Sequence, residues 1–200
     1  MNYRSLLTSF LMLLGAALLI TGCQSAPLSP YAGQSAQQRN TPKASQLSSQ
    51  AAEILASDPD KAERLLREAL AHDLYYGPAH NNLGVIFLSR GDLYEASSEF
   101  EWARKLMPGH PDPRINLAIA LERGGQVEEA IATYQSVLEV RPELETAMVG
   151  LASLQLRHRR PDQRTRTLLE QIAFTTANES TRSWATTQLA RLGALDLEER

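Results

Sequence analysis

A chain of 200 residues, 43% apolar and 22% charged, has room for one globular domain, or one domain with a tail. Its single cysteine, Cys23, excludes an intramolecular disulfide and any cysteine-rich zinc site. Arg4 is the only charge before Cys23, so the remainder holds 19 of the 20 basic side chains and all 23 acidic ones, a mildly acidic balance without a nucleic-acid footprint.

Arg4 precedes a Leu-rich, uncharged run over residues 6–20, with small residues at its exit. That is the layout of a secretory signal. The uncharged stretch up to Cys23 nearly rivals a membrane-spanning helix, which needs about 18–20 such residues, so an uncleaved anchor is the competing reading. The local ending decides between them. "LITGC" (residues 19–23) resembles the lipobox of bacterial lipoproteins. The resemblance implies that residues 1–22 are a removed signal peptide. It also implies that Cys23 becomes the first residue and carries covalent lipid, with acyl chains of the palmitate class. Two or three such chains anchor stably where one would not. Gln24, where family members held in the inner membrane tend to have Asp, implies the outer membrane, facing the periplasm. Residues 24–42, "QSAPLSPYAGQSAQQRNTP", show no helical stripe and read as a flexible tether spanning roughly 25 Å.

From residue 43 the chain reads as helices only. Residues 44–55 form a weak first helix, and "DPDKAERLLREALAHDL" a strong second one with Ala62, Leu66 and Ala69 on one face. Residues 77–110 and 111–144 then align at a constant offset of 34. Asn82 falls on Asn116, Leu83 on Leu117, Gly84 on Ala118, Phe87 on Leu121, Gly91 on Gly125, Ala96 on Ala130, Phe100 on Tyr134 and Pro108 on Pro142. The glycines suit the left-handed exit of a first helix, and proline cannot continue the second. After Pro142, Leu151 and Ala152 restore the register, but Arg164 stands where the small alanine belongs, so that partner helix must pack differently. A last amphipathic helix over 179–200 offers Trp184, Leu189 and Leu192 inward.

This pattern resembles the tetratricopeptide repeat. The family implies an all-α, right-handed solenoid of helix-turn-helix units. Here these are a divergent repeat (43–76), two clear repeats (77–110 and 111–144), a degenerate one (145–178) and a capping helix (179–200). It implies a groove lined by the first helices, and the family's groove-facing positions fall on Asn81, Asn82, Val85, Leu88, Ser89, Ile115, Asn116, Ile119, Glu122 and Arg123. The version of the repeat that clamps C-terminal carboxylates needs Lys and Asn where this chain has Asn81 and Val85, so that reading fails. An apolar groove with amide rims suits a protein segment.

The remaining chemistry is sparse. "HPD" at 110–112 matches the tripeptide of co-chaperone J-domains, but it straddles a repeat junction closed by Pro108. His72, His80, His110 and His158 lack the spacing that puts two metal ligands on one helical face. No nucleophile elbow, phosphate loop or dinucleotide fingerprint is present. Glu128 and Glu129 read as a solvated face. The basic stretch "RHRRPDQRTR" (157–166) reads as an inter-helix turn, with anionic lipid or an acidic partner as the functional alternative. The expectation is a non-catalytic adaptor with no cofactor beyond the lipid on Cys23, no nucleic acid and no small-molecule substrate. It would be held to the membrane by its anchor and bind an envelope protein or peptide segment. The resemblance favours pilus or secretion assembly. A regulator of cell-wall enzymes and a periplasmic holdase are the alternatives.

Overall fold

The computed structural model describes residues 39–158 and 161–198. The expected signal segment, Cys23 and the tether as far as residue 38 lie outside the described residues, as do Arg159 and Arg160. Nine α-helices and no strand occur among the described residues: α1 (Thr41–Ile54), α2 (Pro59–His72), α3 (Gly77–Arg90), α4 (Leu93–Leu106), α5 (Asp112–Arg123), α6 (Val127–Val140), α7 (Glu145–Arg157), α8 (Gln163–Thr175) and α9 (Glu179–Glu198). None is long and apolar enough to cross a membrane. Consecutive helices pack in antiparallel pairs, and the first helices α1, α3, α5 and α7 also touch one another in turn, forming one layer.

Local chemistry starts and stops these helices. Asn40 and Asp58 cap α1 and α2, their side-chain oxygens accepting from Lys43 N at 3.2 Å and Lys61 N at 3.0 Å, and a proline follows each cap. Gly91 (φ 88°) and Gly125 (φ 77°) take the left-handed conformation where first helices end. Thr41 and Pro42, expected in the tether, instead form the first turn of α1. Thr41 Oγ1 donates to Asp73 Oδ2 at 2.6 Å, and Asn40 N donates to the His72 carbonyl at 2.9 Å. The folded body therefore begins by Asn40.

The divergence of the opening unit has a simple cause. Four residues join α1 to α2, where two join α3 to α4. The extra two shift α1 along the repeat frame, so Leu47 and Ser48 occupy the places of Leu83 and Gly84. Both are buried, as is Ala51 in the place of Phe87. Arg90, at the end of α3, locks this unit to the next with bonds of 2.7 Å to Asp60 and 2.6 Å to Glu63. Its hydrogen bond, with Arg67 beside it, holds the Glu63 carboxyl below the usual carboxylate range.

Small residues decide how closely helices approach. Ala62, Ala69, Ala96, Ala103, Ala118 and Ala130 are all fully buried. Phe100, also fully buried, lies directly over Gly84 of its own unit; a Cβ there would stand 2.5 Å from its ring. Tyr134 occupies the equivalent place one repeat later but lies over Gly150 of the following unit, where a Cβ would meet its ring at 2.6 Å. Both aromatics therefore pack where no Cβ intervenes, Phe100 on a glycine of its own unit and Tyr134 on one of the following unit.

The apolar interior forms two clusters that meet at α5. Leu117 and Ala120 belong with α1 to α4, whereas Ala118 belongs with α6 to α9. In the last pair, Arg164 is exposed and Thr165, one residue later, is fully buried, followed by Leu168, Leu169 and Ile172. The helix has rotated by one residue. The Thr165 hydroxyl donates to Gln155 Oε1 on α7 at 2.9 Å, and its backbone N–H donates to Asp162 Oδ1 at 2.7 Å. Trp184, Leu189 and Leu192 of α9 pack on this cluster together with Ala185, which is fully buried.

Two consequences are measurable by denaturant unfolding. Gly84→Ala and Gly150→Ala each destabilise the fold by about 1–3 kcal/mol through overpacking, although alanine is the better helix former. Gly109→Ala, with open space around it, changes stability by less than about 0.5 kcal/mol. The Tyr134 hydroxyl is pushed up to about 12 by burial, with the nearby Glu122 carboxylate adding to the shift and Arg157 opposing it. An unfolded tyrosine loses its proton near pH 10, so from there to pH 12 the folded state holds a proton that the unfolded state lacks. Stability therefore falls as pH rises through this window, by about 1 kcal/mol between pH 10 and 11, and Tyr134→Phe removes that part of the fall.

Candidate functional site: the first-helix layer

Asn81, Val85 and Leu88 recur at i, i+4 and i+7 on α3, and Ile115, Ile119 and Glu122 do so on α5, so each set shares one face of its helix. Val85, Leu88, Ile115 and Ile119 are half-buried, their inner atoms packed on the two clusters. Together they form an aliphatic strip across the neighbouring helices α3 and α5.

The polar members of the expected groove are engaged in holding it together. Asn116 Nδ2 donates to Asn81 Oδ1 at 3.1 Å, and Asn81 Nδ2 to Asn82 Oδ1 at 3.4 Å, a short amide relay between α5 and α3. At the other end of the same two helices, Arg123 Nη1 donates to the Leu88 carbonyl at 2.6 Å. Glu122 forms an ion pair with Arg157 of α7; the glutamate is largely covered while the arginine side chain is 60% exposed. The exposed Ser89 hydroxyl returns to the Ile86 carbonyl at 2.7 Å. Each of these donors satisfies an acceptor that would otherwise compete for a ligand. The Asn116–Asn81 and Arg123–Leu88 bonds tie α5 to α3, and the Glu122–Arg157 pair ties α5 to α7.

The strip is longer than the ten residues singled out from the sequence. Val149 and Leu156 of α7, at an offset of 34 from Ile115 and Glu122, are half-buried and packed on the second cluster. Carrying the 34-residue offset into the degenerate repeat finds them, since Leu151 and Ala152 keep α7 in register.

Elsewhere, polar groups are structural. His80 is fully buried, with Nδ1 2.6 Å from Glu99 Oε2, Nε2 2.8 Å from the Leu74 carbonyl, and the Trp102 ring stacked on it at 5.8 Å. Both ring nitrogens are engaged, one with Glu99 of the same unit and one with the connection from the preceding unit. No group of three His, Cys, Asp or Glu able to hold a metal occurs among the described residues. The tripeptide at 110–112 lies at the start of α5: the His110 N–H donates to the Met107 carbonyl at 3.0 Å, and Arg114 donates to the Pro108 and His110 carbonyls. A hollow of about 780 Å³ lies on the opposite side, between the second helices α4 and α6, walled by Tyr94, Trp102, Glu129 and Thr133 over a floor of Leu117 and Leu121. The sequence carried no sign of it, because its walls come from two helices whose exposed faces look ordinarily polar.

Comparison with known proteins agrees with this geometry. Tetratricopeptide-repeat family models match residues 56–111 and 87–151. The Caenorhabditis elegans tetratricopeptide repeat protein 8 is 32% identical over 76 residues, which is 38% of this chain but 14% of that protein. The chain thus matches only a small part of that relative's length. Among solved structures, Pseudomonas aeruginosa PilF superposes with a TM-score of 0.63 at 19% identity, over 76% of this chain and 77% of that one. The first tetratricopeptide domain of Spaghetti (RPAP3), solved with the HSP90 peptide SRMEEVD, superposes with a TM-score of 0.58 at 19% identity, over 61% of this chain and 98% of that one. Residues 56–151 thus match the tetratricopeptide repeat, and the described residues fold as an all-α solenoid similar to that type.

Proposed function

We propose that this protein is a membrane-anchored, non-catalytic adaptor of the bacterial envelope that binds a peptide or protein segment on its first-helix layer. The observation that carries the reading is the aliphatic strip of Val85, Leu88, Ile115 and Ile119, half-buried and pinned at both ends by bonds between α3 and α5. A preorganised apolar surface of this kind binds without first having to be ordered. The repeat architecture supports a protein ligand, since a tetratricopeptide domain of the same fold was solved with a bound peptide. The anchor rests on "LITGC" and Cys23. The outer-membrane, periplasm-facing location rests on Gln24. A place in pilus or secretion assembly rests on the resemblance to short tetratricopeptide lipoproteins of those machines, and Pseudomonas aeruginosa PilF shares the fold.

In-cell photocrosslinking tests both halves of this reading. A crosslinker at Asn82 or Ile119 is expected to give discrete protein adducts, and one at Ser98, on α4 away from the strip, is not. The adducts should sediment with outer membranes for the wild type and leave the outer-membrane fraction for Cys23→Ser. Adducts from Ser98 alone contradict the groove. Unchanged outer-membrane sedimentation of Cys23→Ser contradicts the lipid anchor.

A further inference from the structure

We infer that the segment bound on the first-helix layer is an amphipathic helix bearing a carboxylate one turn from its aliphatic stripe, and that Arg123 receives that carboxylate. The inference rests on the groove reading above and adds the chemistry of the partner.

The polar groups of the layer are mostly spent. Asn81, Asn82 and Asn116 are joined in one relay. Glu122 is neutralised by Arg157, and Arg90 at the equivalent end of α3 is matched by two carboxylates. Arg123 differs. It is exposed, its hydrogen bond goes to the uncharged Leu88 carbonyl, and among the described residues it has no carboxylate partner. A guanidinium has five N–H donors in a planar fork, so the bond to Leu88 orients the group and leaves a charged edge open. That edge fits a carboxylate better than any neutral acceptor.

Placement supplies the rest. Arg123 lies one helical turn beyond Ile119, so the cation and the aliphatic side chain rise from neighbouring points of α5, with Cβ atoms roughly 6 Å apart. Across from them, Val85 and Leu88 sit at i, i+3 on α3. Two adjacent helices with aliphatic ridges at these spacings leave a furrow shaped for the ridge of a third helix. A matching ligand places an aliphatic side chain on Ile119 and an acidic one three or four residues away. Charge selects the register, and the apolar strip supplies most of the binding free energy.

Selection of a displayed library of random 16-residue peptides against the full chain tests this. Wild type is expected to enrich peptides with aliphatic residues at helical spacing and Asp or Glu three or four positions from one of them. Exchanging that acid for its amide should weaken binding about tenfold, the scale of a charge-assisted hydrogen bond. With Arg123→Gln, which removes the charge without repelling the Leu88 carbonyl, the difference should vanish, and with Arg123→Glu the preference should turn to Lys or Arg. All binding should be lost in the double variant Val85→Asp, Ile119→Asp. Peptides that depend on Val85 and Ile119 but show no acidic preference, or keep it with Arg123→Gln, overturn the inference and leave the groove standing. Failure to enrich any peptide sensitive to the double variant overturns the inference, and the crosslinking from Asn82 and Ile119 then decides separately whether the groove binds protein at all.

Discussion

An aromatic ring comes closest to a helix where that helix lacks a Cβ, and this fold uses the arrangement twice. Phe100 rests on Gly84 and Tyr134 on Gly150, each so close that one added carbon would collide with the ring. Buried alanines continue the same close approach along the second helices. The spacing of the helix pairs, the layer formed by the first helices, and the strip exposed on that layer all follow from these contacts.

One of these contacts lies within a unit and the other crosses from one unit to the next. Helix α5 turns this into continuity. Its Leu117 and Ala120 face the opening half of the core, and Ala118 faces the closing half. The same helix supplies Ile115, Ile119 and Arg123 to the first-helix layer. The element that binds the two halves of the interior is therefore also the centre of the candidate site. The rigidity of that site derives from the core beneath it, with Asn116 and Arg123 adding ties at the surface.

Much of this was legible in the residues. The offset of 34, the small residues at 84, 96, 118 and 130, and the glycines at 91 and 125 placed the repeats and their turns, because each reports a steric need of the backbone. The opening unit was harder to read: two extra residues between α1 and α2 displaced Leu47–Ser48 from the expected frame, and a repeat is recognised by its frame. The rotation of α8 was foreshadowed by Arg164, an unacceptable side chain for a buried small site, but not the substitute, Thr165, whose burial depends on Gln155 of another helix. The site was half legible. The resemblance to the tetratricopeptide repeat supplied the expected groove positions, yet no sequence pattern shows that Asn81 and Asn116 bond to each other or that Glu122 and Arg157 pair. Those bonds cross 35 positions of chain and arise only when the helices stack.

Two apolar clusters, joined through α5, keep the first-helix layer in a fixed arrangement. Native-state hydrogen exchange at increasing denaturant measures this directly. The slowest amides of α3, α5 and α6 are expected to converge on a single opening free energy, equal to that of global unfolding. Exchange of α3 through a separate, lower-energy opening while α6 stays protected would show two independent halves and contradict the account.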